Sequence, residues 1–243
     1  MRKTIFKLSS ILMLTIGIIP FVFAEDNIPD LANGEKIFNE GKGDAAACMG
    51  CHGEHGLGSD DMGAPRLANI GQYYIIKQLG DFAADRRIPD GAGAVMPDFA
   101  KALSDKDKRD VAAYLDTLEY TEELSDLKAI AAGGTAVGKP EIGKEIVTHG
   151  IKGKVPACQD CHGFNGRASR FPQINQQRFV YLVNQLNNWR SESRKNDPVV
   201  DKQGIMRRIA KNLSDDDINN IAAFLSTAPR VAPGGMYTGD KKK

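Results

Sequence analysis

Cysteine and histidine recur twice in one spacing, as Cys48-Met49-Gly50-Cys51-His52 and Cys158-Gln159-Asp160-Cys161-His162. Thiols three positions apart on a helical turn share a face. Both can then reach neighbouring vinyl groups of one porphyrin and form thioethers, while the next residue points its imidazole at the central metal. This is the attachment sequence of c-type haem. All four cysteines of the chain lie in these two motifs. A structural zinc needs four nitrogen or sulfur ligands per ion, and a thioredoxin-like dithiol needs a βαβ setting; the pattern offers neither. Two covalent haem c groups are therefore predicted, one on Cys48 and Cys51 and one on Cys158 and Cys161, with His52 and His162 as axial ligands.

Each iron then has one axial position left, and its occupant decides between electron transfer and catalysis. Met96 and Met206 occupy matched places, each seven residues before a Leu-Ser pair (Leu103-Ser104 and Leu213-Ser214). Both are read as loop residues just ahead of a closing helix and as the second axial ligands. Met49 lies inside its motif, too close to swing to the opposite haem face, and Met62 has no counterpart in the second half. Both are read as gap fillers or partly exposed. His55 and His149 are matched by Asn165 and Glu40 and are read as surface residues, so bis-histidine ligation lacks candidates.

The elements that must position these groups also come in pairs. At an offset of 110, Cys48 falls on Cys158, Met96 on Met206 and Tyr114 on Phe224; in between, the offset slips to 107, pairing Pro65 with Pro172, Tyr74 with Tyr181, Gln78 with Gln185 and Phe82 with Trp189. The slips are loop-length differences, three residues lost after the second motif and three gained before Met206. Each copy reads as helical. Opening helices run from Gly34 to Glu40 and from Gly143 to His149. Middle helices carry Ile75, Leu79 and Phe82, or Leu182, Leu186 and Trp189, an i, i+4, i+7 stripe. Closing helices start at Ser104 and Ser214, each a Ser N-cap followed by acids in the first turn. No alternating run long enough for a sheet is present. The domains expected are 25–119 and 140–232. A linker at 120–139 is marked by Gly133, Gly134 and Pro140, and a frayed tail at 233–243 by glycines and lysines.

Arg2, Lys3 and Lys7, then an apolar run to Phe23 and small residues before Ala24, read as a secretory signal peptide, residues 1–24, cut after Ala24. The apolar run is short for a membrane span and contains Pro20. Beyond it, residues 25–130 hold 11 basic and 21 acidic side chains, a net of −10, and residues 131–243 hold 18 and 10, a net of +8. The mature chain is thus a charge dipole, and Arg207 and Arg208 beside Met206 are read either as steering charges or as a solvated face. Nucleic acid is a poor partner for the basic half, because the compartment is wrong and the charges are scattered.

The order of signal, Cys-x-x-Cys-His, proline, Tyr-x-x-x-Gln helix, methionine, Leu-Ser-Asp and aromatic-bearing last helix, repeated once, resembles the two-domain dihaem cytochrome c4 family of class I cytochromes c. The resemblance covers the whole mature chain. It implies an all-α fold of two tandem class I cytochrome c domains, His/Met iron in each, and proximal imidazoles oriented by the carbonyls of Pro65 and Pro172. It also implies a periplasmic respiratory electron carrier, with a redox protein as donor and another, such as a membrane-bound terminal oxidase, as acceptor, and peripheral membrane association. No small-molecule substrate is expected, since a six-coordinate iron leaves no site for one. Two alternatives keep the haems: the cytochrome subunit of a flavoprotein sulfide dehydrogenase, and a dihaem peroxidase, which would need Met96 or Met206 to dissociate. A thiosulfate-oxidising enzyme with a thiolate-ligated haem would need a spare cysteine, which the chain lacks.

Overall fold

A computed structural model describes residues 28–119, 121–162, 171–200 and 203–228. The signal segment 1–24 with its cut after Ala24, the tail 233–243 and Asn165 lie outside the described residues. The first copy comprises α1 (Leu31–Glu40), α2 (Met49–His52), α3 (Gln72–Ala83), α4 (Met96–Ala102) and α5 (Asp105–Thr117). After α6 (Leu127–Ala132), the second comprises α7 (Pro140–His149), α8 (Gln159–His162), α9 (Phe179–Arg190), α10 (Ile205–Ala210) and α11 (Asp215–Thr227).

Each opening helix crosses its closing helix at a duplicated glycine. A Cβ at Gly34 would overlap the carbonyl oxygen of Asp110, and one at Gly143 that of Asn220, so glycine alone lets these backbones approach. The closing helices begin as expected. Ser104 Oγ accepts the Asp107 N–H and Asp107 Oδ2 accepts the Ser104 N–H, both at 3.1 Å; Ser214 and Asp217 repeat the exchange at 3.1 and 2.9 Å. The opening helices start three residues earlier than the pattern suggested. Asp30 caps α1 by accepting the Asn33 N–H at 3.1 Å, and Pro140 starts α7, where a missing N–H costs nothing.

Two cores result. Ile37, Phe38, Ile75, Val111 and Leu115 are buried together in the first copy, and Val147, Phe179, Leu182, Ile218, Ile221 and Leu225 in the second. Phe82 and Trp189, both expected in the cores, are buried as well.

Three features depart from expectation. Met96 and Met206 are not loop residues: Met96 opens α4 and Met206 lies in the first turn of α10, helices too short to show periodicity. A two-residue antiparallel hairpin, β1 (Val199–Val200) with β2 (Gln203–Gly204), sits where the second copy gains its three residues. The linker segment is also anchored at several points, although most of its residues are exposed. Asp126 caps α6, Leu127, Ile130 and Val137 pack on the second core, and the Ser125 N–H donates to the Ser226 carbonyl at 3.2 Å. Its glycines mark the turn after α6 rather than free chain.

Candidate haem sites and the seam between them

Both Cys-x-x-Cys-His motifs fold as a single helical turn, α2 and α8, ending on the histidine. His52 Nδ1 lies 2.9 Å from the Pro65 carbonyl and His162 Nδ1 lies 3.0 Å from that of Pro172. A carbonyl can only accept, so each proton is on Nδ1 and each Nε2 lone pair is left for a metal. Burial, partly opposed by these hydrogen bonds, moves both imidazoles below their ordinary pKa, which keeps them neutral and ready to ligate. Burial likewise raises the Cys48 thiol to about 11 and the Cys158 thiol to about 12. Neither has the low pKa of a nucleophilic or redox cysteine, which counts against dithiol chemistry.

Met96 and Met206 are both half-buried, Met62 is exposed, and Met49 packs against the first core. His55 and His149 are exposed, and His149 faces Glu145 at 3.2 Å. Beside Cys161 opens a cleft of about 360 Å³, walled by Pro156, Ile205 and Ile209 with Lys154 and Arg208 at its rim. At an offset of 110, these two exposed cations fall on Asp44 and Asp98, both also exposed, so the same two positions carry opposite charge in the two copies. Arg207 differs from the steering role read from the sequence. Its Nε pairs with Asp197 Oδ1 at 2.9 Å, and the carboxylate is fully buried, so this arginine is structural.

The copies meet on a seam with approximate two-fold symmetry. Arg87 donates from Nη1 to Gln78 of its own domain at 2.7 Å and from Nη2 to Tyr181 and Gln185 of the other at 3.1 and 3.0 Å. Arg194, its partner at offset 107, donates to Gln185 of its own domain at 2.6 Å and to Tyr74 and Gln78 of the other at 3.0 and 3.2 Å. Arg87 stacks 4.6 Å from the Phe82 centroid and Arg194 stacks 4.2 Å from that of Trp189. The proline loops follow the same symmetry: the Gln177 side chain brackets the backbone of Arg66 at 2.6 and 3.0 Å, and at the equivalent positions the Gln173 N–H donates to the Ile70 carbonyl at 3.2 Å.

Both seam arginines are buried, and among the described residues neither has a carboxylate within ion-pair distance. Burial, and then the charge of Arg194, lower the Arg87 pKa. Two like charges buried among neutral oxygens need anions. A haem brings two propionate carboxylates, so seam, imidazoles, paired cysteines and apolar cleft all suit the group. Sequence reading missed this seam. Its signal was the offset of 107, which pairs Arg87 with Arg194 as it pairs the tyrosines and glutamines.

The family model of cytochrome c matches residues 31–119 and again 141–229. The chain is 34% identical to the thiosulfate dehydrogenase electron acceptor of Stutzerimonas stutzeri, over 84% of this chain and 89% of that one. It is 31% identical to cytochrome c4 of Azotobacter vinelandii, over 88% and 95%. Among solved structures, reduced recombinant cytochrome c4 from Pseudomonas stutzeri aligns with a TM-score of 0.59 at 27% identity, covering 82% of this chain and 98% of that one. Thiosulfate dehydrogenase (TsdBA) from Marichromatium purpuratum aligns with a TM-score of 0.70 at 26% identity over 82% of this chain, which spans only 40% of that longer chain.

Proposed function

The chain belongs to the cytochrome c family as a two-domain, cytochrome c4-like member with two covalent haem c groups, and we propose that it relays electrons between two redox proteins of opposite charge, one docking at each domain. When bound, each haem supplies a one-electron Fe(III)/Fe(II) couple. In this reading His52 with Met96, and His162 with Met206, hold the irons, and thioether ligation raises both potentials. The Pro65 and Pro172 carbonyls fix the imidazole planes, and the seam holds the two domains in one arrangement. The reading rests on the duplicated motif whose imidazoles each leave Nε2 free. The ferric protein is expected to be low-spin at both sites and to show the weak far-red sulfur-to-iron charge-transfer band. Met96→Ala and Met206→Ala should each halve it. Loss of the first-domain half in Met62→Ala instead would move the ligand assignment.

The donor in this proposal is a thiosulfate dehydrogenase, the partner printed in the name of the Stutzerimonas stutzeri relative, and the acceptor a terminal oxidase. The sulfide dehydrogenase reading has no counterpart among the relatives above. We place the mature chain in the periplasm because of the basic and apolar pattern of residues 1–24; among the described residues no helix is long and apolar enough to cross a membrane.

The reversed rims predict which end meets which partner. Lys154→Glu with Arg208→Glu should slow transfer with an acidic partner by about tenfold or more at low salt and leave a basic partner unaffected. The difference should shrink as ionic strength passes 0.1 M, where the Debye length is about 10 Å. Stopped-flow rates with both partners across ionic strength check this, and rates flat with salt for both would remove steering from the mechanism. Arg207 is left out of the reversal because changing it would break its pair with Asp197.

A further inference from the structure

We infer that Asp197 is the positioning residue for the second-domain methionine, clamping the first turn of α10 so that Met206 is presented at a fixed place; this rests on the proposed role of Met206 as an axial ligand. Asp197 Oδ2 accepts the Arg207 N–H at 3.1 Å and Oδ1 accepts Arg207 Nε at 2.9 Å. On the other side of Met206, the Ile205 N–H donates to the Pro198 carbonyl at 2.9 Å. The backbone is therefore held on both flanks of Met206 by residues 197–198, with the paired strands β1 and β2 lying between them in sequence. Gly204 completes the cradle, because a Cβ there would overlap the Asp197 carboxylate. The side chain of Asp197 is 0% exposed and that of Arg207 is 20% exposed, so little water is at hand to replace the carboxylate if it is removed.

The first domain presents its methionine differently. The Met96 N–H donates to the Gly93 carbonyl within the 3₁₀ turn Gly91–Val95, and the position of Arg207 is taken by the buried Pro97, which has no N–H. Met96 is held by local chain stiffness, whereas Met206 depends on an ion pair ten residues apart in sequence. The three residues gained before Met206 make that pair possible.

The test uses the ferric holoprotein and imidazole as an incoming ligand, which binds iron only when the methionine leaves. The second-domain phase is identified as the one that becomes fast in Met206→Ala. In Asp197→Ala that phase should accelerate about tenfold or more, the effect of losing a charged hydrogen bond, while the first-domain phase stays within about twofold. Asp197→Asn keeps an acceptor oxygen and should fall between wild type and Asp197→Ala. A merely structural role would lower the melting temperature without accelerating exchange well below it. An unchanged second phase in folded Asp197→Ala overturns the inference. If that variant fails to retain two haems, unchanged phases in both Asp197→Asn and Arg207→Gln overturn it. A far-red band undiminished in Met206→Ala overturns instead the ligand assignment beneath it.

Discussion

Replacing Cys158 and Cys161 together by alanine is expected to halve the haem content of the mature chain and to unfold its second domain. A domain of about 100 residues has little core to spare, and here the apolar wall of Pro156, Ile205 and Ile209 beside Cys161 is one that a bound haem would cover. With cofactor binding coupled to folding, losing the attachment points removes both. Because α6 packs on the second core, it should loosen too. Trypsin should then cut at Lys128 and, in the loosened α7, at Lys144, and release an N-terminal fragment that still carries one haem. That fragment should be less stable than in the intact chain by about 1–3 kcal/mol, because Gln177 no longer satisfies the backbone of Arg66, next to the carbonyl that orients His52. Haem content per chain, far-ultraviolet circular dichroism and the tryptic pattern check the result. Loss of both haems would mean that the domains fold as one unit. A haem-free second domain with native helicity would show that the porphyrin is not needed to complete its core.

What the sequence shows plainly is local or repeated. The haem motifs, the Ser-Asp caps of α5 and α11 and the matched methionines all express short-range rules, and duplication doubles each signal. The apolar stripes of α3 and α9 are legible for the same reason. What it conceals depends on pairing across distance. Arg87 lies in an unpatterned loop after α3, and its partners Tyr181 and Gln185 are about a hundred residues away; Tyr74, Gln78 and their equivalents read as one face of a helix until two such faces meet. The short α10 shows no period, and its Asp197–Arg207 pair spans a hairpin. In the linker, Gly133 and Gly134 outweigh the Leu127 and Ile130 pair, although those two residues dock the segment on the second core. Arg207 and Arg208 look alike in sequence, and only burial separates the paired residue from the exposed one.

The seam carries the second large prediction. Arg194→Met keeps volume and removes charge. Replacing a buried ion pair by apolar residues can stabilise a protein, but among the described residues the guanidinium has no carboxylate partner to release. Its loss leaves the Tyr74 hydroxyl without that donor and thins the donors on Gln78 and Gln185. It also removes one of the two buried cations of the seam, which haem propionates reaching it would neutralise. The expected cost in the holoprotein is about 3 kcal/mol, a fall in melting temperature of about 6–12 °C for a chain of this size. By the two-fold relation, Arg87→Met should match it within about 1 kcal/mol. The double variant should exceed the sum of the two by about 1 kcal/mol. Either single change relieves the repulsion between the arginines while leaving each glutamine one donor from the pair. The second gives no further relief and takes that donor from both glutamines. Thermal unfolding of the four proteins completes the cycle. A neutral or stabilising Arg194→Met would show that the seam closes without its charges, and strict additivity would show that the two arginines act independently.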